Sequence, residues 1–137
     1  MINNHTFIML VSCILSGLLS TMNMWVYDLS DIRFSANDVY MIGIMSGFMF
    51  FFSGLFMARV DYVLWGLCAA LIFFVCIRLQ LFVSETEYLR GMIPHHSMAI
   101  HMSKAIQKKR NNISALTNSI IKSQYDEIQI MKDFLSY

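Results

Sequence analysis

Three long segments with almost no charge occupy most of the first 83 residues of this 137-residue chain. They run from Thr6 to Tyr27, from Val39 to Ala58 and from Tyr62 to Val83, and only Arg78 near the end of the third is charged. A helix of about 20 apolar residues matches the hydrocarbon thickness of a bilayer. The sequence therefore predicts three transmembrane helices, at about residues 6–27, 39–58 and 62–83.

Charge separates this region from the rest of the chain. Residues 85–137 hold seven of the ten basic and five of the nine acidic residues, although the whole chain is 57% hydrophobic and only 14% charged. We therefore predict a membrane domain at residues 1–83, with the lipid bilayer as its partner, and a water-facing domain at residues 84–137. A net charge near +1 argues against a nucleic-acid partner.

The connections between the predicted spans limit their arrangement. A tight turn at Arg59–Asp61 makes the second and third spans an antiparallel pair, and Gly43 and Gly47 fit the small-xxx-small spacing of closely packed membrane helices. The first loop and the C-terminal domain then share one side of the membrane, which the distribution of basic residues does not identify. The three cysteines lie in apolar segments without a C-x-x-C pair and are expected to be packing residues.

The last third of the chain has the pattern of an amphipathic helical hairpin. Ser84 is a suitable N-cap for a helix from about Glu85 to Arg110, and a second helix is expected from about Ile113 to Leu135. Pro94 interrupts the first of these helices and predicts a kink or a restart. The predicted fold is all-α, with three transmembrane helices followed by this two-helix hairpin.

Histidine and methionine are concentrated in the first hairpin helix. Three of the four histidines and three of the twelve methionines lie between Met92 and Met102. These side chains ligate transition metals, and the thioether favours Cu(I). At 100° per residue, one face of each helix carries candidate ligands. The candidates are Met92, His95, His96 and Met102 on the first helix and Glu127 and Met131 on the second.

Three further residues are secondary candidates. Gln124 lies on the same stripe as Glu127, whereas Met98 and His101 lie off the main face. His95 and His96 project about 100° apart, so both need not bind the same ion. The alternative for all of these residues is that they pack in the core of the hairpin.

Two motifs resemble a known family, the domain of unknown function 305 (DUF305). The first extends from Tyr88 to Met102 and contains Met92-Ile93-Pro94-His95-His96, and the second is Gln124-x-x-Glu127-Ile128-x-x-Met131. The resemblance covers about residues 85–135 and implies a ferritin-like helical bundle associated with copper, commonly outside the bacterial inner membrane. The N-terminal part, in which Asp38-Val39-Tyr40-Met41-x-Gly43-x-Met45 opens a predicted span, resembles a membrane-anchored branch of the family. The resemblance therefore implies a multi-pass membrane protein with an extracytoplasmic or periplasmic hairpin.

Many family members have four helices, whereas this chain supplies one hairpin. A lone hairpin buries little apolar area, so we expect homo-oligomers in which hairpins from different copies pair.

The sequence supports one main functional hypothesis and one alternative. The main hypothesis is that the His/Met-rich hairpin binds copper for sequestration or for transfer with an unidentified donor or acceptor protein. The alternative is a membrane-embedded oligomerisation or interaction module that binds no metal. An enzyme is not expected, because the chain has no E-x-x-H motif of the di-iron bundles and no evident nucleophile–base pair.

Overall fold

The computed structural model describes residues 4–136, which form five α-helices and two short 3₁₀ turns. The helices are α1 (Asn4–Leu18), α2 (Ala36–Phe56), α3 (Val60–Leu79), α4 (Glu85–Gln107) and α5 (Ser114–Leu135). The described residues contain no strand, so the predicted all-α class is confirmed. The chain divides into two compact units. The apolar unit comprises Met1–Thr21 and Ala36–Phe82, and the hairpin unit comprises Met22–Ser35 and Val83–Tyr137.

Helices α2 and α3 of the apolar unit pack with their backbones in contact. A Cβ atom added at Gly66 would lie 2.4 Å from the backbone nitrogen of Phe51 and 2.6 Å from the carbonyl oxygen of Gly47. At the other end of the pair, a Cβ atom at Gly54 would lie 2.6 Å from the nitrogen of Val63. Only glycine permits such an approach, and the order of these contacts confirms the predicted antiparallel pair.

The prediction of three transmembrane helices is wrong for the first segment. From Asn4, the first described residue, α1 extends only 15 residues to Leu18, about 22 Å against a hydrocarbon core of about 30 Å. Two hydroxyls turn back onto helix carbonyls, with Ser20 Oγ donating to Ser16 O at 2.7 Å and Thr21 Oγ1 donating to Leu18 O at 3.3 Å. Such side chains compete with the helix for backbone partners, and the Met22–Trp25 3₁₀ turn follows.

Two helices in the described part of the chain, α2 and α3, are long and apolar enough to cross a membrane. Only 22% of the most apolar stretch of α2 and 17% of that of α3 is buried within the protein. Large side chains such as Trp65, which is 74% exposed, cover the remaining surface of these helices.

The hairpin unit has a small aliphatic core between α4 and α5. Its buried members are Ile93, Ile100, Ile128 and Met131. The predicted cap is present, because Ser84 Oγ accepts a hydrogen bond from the backbone nitrogen of Glu87 at 3.3 Å. Helix α4 continues through the buried Pro94 without a restart, and it ends at Gln107, three residues before the predicted end.

The segment between α1 and α2 belongs to the hairpin unit and is held there by a polar network. Ser97 on α4 is fully buried, and its hydroxyl accepts from the backbone nitrogen of Tyr27 at 2.9 Å and donates to Asp31 Oδ2 at 2.6 Å. Lys132 on α5 forms an ion pair with the other oxygen of Asp31, which is itself buried. One carboxylate therefore connects this segment to both hairpin helices.

Candidate metal-binding site

A pocket of about 330 Å³ lies between α4 and α5 and collects four of the predicted ligands. Met92 and His96 come from α4, and Glu127 and Met131 come from α5. Each pair is spaced four residues apart, which places both members on one face of its helix. Tyr88 and Ile130 complete the described lining. The pocket thus combines an imidazole, two thioethers and a carboxylate.

The ring nitrogen Nδ1 of His96 is the most informative atom of the pocket. It is buried and makes no aligned hydrogen bond in the described structure, although Glu127 Oε2 lies 3.0 Å away. Glu127 is held from its other oxygen, Oε1, which accepts from Ser123 Oγ at 2.8 Å. In the tautomer protonated at Nε2, Nδ1 and the carboxylate present two lone pairs to each other. A cation shared by these two atoms would relieve that contact.

The charge state of His96 follows from its surroundings. Burial is the largest influence and lowers the pKa of His96; the Glu127 carboxylate opposes this effect, and His95 adds to it. The native imidazole is therefore neutral at pH 7, the form that binds metals.

The other predicted ligands do not line this pocket. His95 is exposed, with its ring centroid 5.8 Å from that of His96. Met102 is 58% exposed, His101 is exposed, and Met98 and Gln124 are half-buried outside the described lining. Within residues 4–136, no three His, Cys, Asp or Glu side chains cluster to hold a metal ion. A metal in this pocket would therefore depend on the thioethers as well.

Sequence reasoning did not identify Tyr88 as part of the pocket, nor the network of Asp31, Ser97 and Lys132. Tyr88 precedes Met92 by four residues, so helical spacing was a sufficient signal for it. Asp31 lies 66 residues from Ser97 and 101 from Lys132, and no local pattern connects these positions.

Comparison with known proteins gives one match to the hairpin helices and one match to almost the whole chain. Residues 78–135 match the domain of unknown function DUF305, which confirms the resemblance inferred from the motifs. The chain is also 37% identical over 141 residues to the uncharacterized protein L153 of Acanthamoeba polyphaga mimivirus, a match that covers 97% of this chain and 92% of that protein. The chain therefore belongs to the family of that viral protein. No solved structure matches the chain.

Proposed function

We propose that this protein is a membrane-embedded copper carrier or store, in which the pocket between α4 and α5 binds Cu(I) as cargo. The observation that carries the proposal is the buried Nδ1 of His96, which faces a carboxylate without an aligned hydrogen bond. Buried polar atoms are nearly always satisfied in folded proteins, and a cation shared with Glu127 Oε2, 3.0 Å away, would satisfy this one.

The chemistry of the pocket suits a soft cation. The thioethers of Met92 and Met131 favour Cu(I), and the neutral imidazole of His96 is a suitable third ligand. Glu127 is a harder ligand, and its charge offsets that of the bound cation. His95 remains a candidate for receiving or releasing the ion, because it is exposed and adjacent to His96.

Membrane insertion is supported by the surface of α2 and α3. The core helices of a soluble protein are mostly buried, whereas about four-fifths of each apolar stretch here is not. An apolar surface of that extent is unfavourable in water and favourable in hydrocarbon. By analogy with the family, we place the hairpin unit on the extracytoplasmic side. Extraction of membranes with alkaline carbonate should leave the full chain in the pellet, and its release would contradict insertion.

A competition titration against a chromophoric Cu(I) chelator tests the binding site. The full-length protein in mild detergent is compared with His96→Ala and with His101→Ala, an exposed histidine on the same helix. We expect the first variant to bind Cu(I) at least about tenfold more weakly, a loss of about 1.4 kcal/mol, and the second to bind normally.

A second pair of variants tests the thioether without opening a cavity. Met131→Leu removes the sulfur from the pocket at nearly constant volume, and Met102→Leu does the same on the exposed surface. Met131→Leu should weaken Cu(I) binding, and Met102→Leu should leave it unchanged. Equal affinity in all four variants and the wild type would reject the copper site.

The exposed face of α5 favours a second candidate, an interaction module. Leu116, Ile130 and Phe134 are between 55% and 69% exposed on this one helix. Pairing of hairpins from two copies would cover such residues and complete a four-helix bundle. If cross-linking in mild detergent shows only monomers, this candidate fails; if oligomers persist without Cu(I) binding, it replaces the first.

A further inference from the structure

A second pocket of the hairpin unit carries positive charge and no proposed copper ligand. It measures about 390 Å³, and its described lining is Arg33, Thr86, Arg90, Lys132, Leu135 and Ser136. The three cations come from three separate parts of the chain: the segment before α2, the start of α4 and the end of α5. None of the six lining residues is acidic.

The guanidinium of Arg33 is held in place by backbone groups. Its Nη1 donates to the carbonyl oxygens of Ser30 and Ile32, each at 2.8 Å, and its backbone nitrogen donates to Asn23 Oδ1 at 3.0 Å. No ion pair in the described part of the chain includes Arg33. Its position is therefore fixed, and no carboxylate of the described residues lies within ion-pair distance of it.

The other two cations differ in how fully they are neutralised. Lys132 is paired with the buried Asp31. Arg90 pairs with Glu87 at 3.0 Å, but the Arg90 side chain is 48% exposed, and exposed pairs of this kind are weak and exchangeable. Thr86 lies in the first turn of α4, where the helix dipole also favours an anion. Arg33 and Arg90 are thus available to an anionic ligand.

We propose that this pocket binds a phosphate group. Two guanidinium groups and an ammonium group suit the several oxygens of a phosphate, since arginine can donate two parallel hydrogen bonds to it. The group can belong to a lipid headgroup or to a soluble phosphate. A lipid source rests on the proposed membrane insertion: Arg33 lies three residues before α2 begins and Thr86 lies seven residues after α3 ends, so both lie within a few residues of a span.

Two measurements distinguish these sources. In the first, the full-length protein in phosphate-free mild detergent is titrated with inorganic phosphate at constant ionic strength, and its melting temperature is followed. In the second, the protein is placed in nanodiscs of phosphatidylcholine or phosphatidylglycerol, and co-purifying lipid is measured. Saturable stabilisation in the first supports a soluble phosphate, whereas selective retention of phosphatidylglycerol alone supports a lipid headgroup. If phosphate does not stabilise the protein and phosphatidylglycerol is not selectively retained, the proposal is overturned.

Matched variants assign the effect to the pocket. Arg33→Gln and Arg90→Gln should each weaken the phosphate or lipid effect at least about tenfold, because each removes a charge-assisted hydrogen-bond donor. Arg110→Gln makes the same change on the exposed connection between α4 and α5 and should have no effect. An equal loss in Arg110→Gln would indicate nonspecific charge attraction and overturn the site. If Arg33→Gln does not fold, the result for Arg90→Gln alone decides.

Cu(I) affinity should be unchanged in all three variants, which separates this test from that of the copper site.

Discussion

The two units of this protein pack by opposite means. In the apolar unit, α2 and α3 pack closely because Gly47 and Gly66 have no side chain, so the two backbones are in contact. In the hairpin unit, α4 and α5 enclose an aliphatic core, and the buried Ser97 and Asp31, together with Lys132, secure the neighbouring segment. The first unit should therefore be sensitive to added volume, and the second to lost polar partners.

The largest expected effect comes from one added methyl group in the apolar unit. In Gly66→Ala the new Cβ would lie 2.4 Å from the backbone of α2, so the helices must separate. We expect a loss of about 4 kcal/mol or more in the free energy of unfolding. Gly91→Ala is the control in the hairpin unit, because its Cβ would meet only the Ser35 side chain, with Oγ at 3.1 Å and Cβ at 3.5 Å. Helicity followed during an SDS titration measures both, and equal stability in the two variants would contradict the comparison.

The second-largest expected effect comes from removing one carboxylate in the hairpin unit. Asp31→Ala removes the partner of Lys132 and the acceptor of the Ser97 hydroxyl. Breaking such a pair should cost about 3 kcal/mol. Hydrogen exchange at the Tyr27 amide, which donates to Ser97, should accelerate strongly.

Asp28→Ala is the matched control for Asp31→Ala. Asp28 is exposed and caps a 3₁₀ turn through Ser30 N at 2.8 Å, so its loss should cost only about 1 kcal/mol. If the Tyr27 amide exchanges equally fast in Asp31→Ala and Asp28→Ala, the Asp31 network does not hold the Met22–Ser35 segment in place.

Copper should sharpen the contrast between the units. Cu(I) at about 100 times its dissociation constant should stabilise the hairpin unit by about 2.7 kcal/mol. Amide exchange should slow around Met92–His96 and Glu127–Met131, remain unchanged in α2 and α3, and return to its initial rate after chelation. Equal protection of α2 and α3 would be inconsistent with a site confined to the hairpin unit.

The smallest expected effect is a pH dependence confined to the hairpin unit. Because burial lowers the native pKa of His96, the unfolded chain binds this proton more readily. Stability should therefore decline as the pH falls through about 6.5, the unfolded value, and level off below the native pKa. In His96→Asn, this part of the decline should disappear from denaturation curves recorded between pH 7.5 and 5. If His96→Asn loses stability with falling pH as steeply as the wild type, other groups cause the decline.

Local pattern predicted the hairpin well and the first segment badly. The Ser84 cap and the four-residue spacings on α4 and α5 depend on neighbouring residues, so they were visible in the sequence. The prediction of the first span was wrong because a search for uncharged residues treats Ser20 and Thr21 as apolar. Their hydroxyls donate hydrogen bonds to helix carbonyls near the end of α1.

The contacts of Asp31 were invisible to the same reasoning. They join residues far apart in sequence, and a polar loop between two apolar segments reads as a solvated connection. For the candidate copper pocket, helical projection indicated the face that carries Met92 and His96 but did not separate His96 from the exposed His95.

The pairing of Asp31 with Lys132 has a consequence for how the chain is made. The two residues are 101 positions apart, so during synthesis the aspartate emerges long before its lysine exists. At about 5–20 residues per second, the wait is about 5–20 s. The Met22–Ser35 segment has no complete α4 to dock against until Gln107 has been made, and α5 follows later still. The buried aspartate thus lacks its lysine for the whole of that time, and the hairpin unit is completed only once α5 has been made.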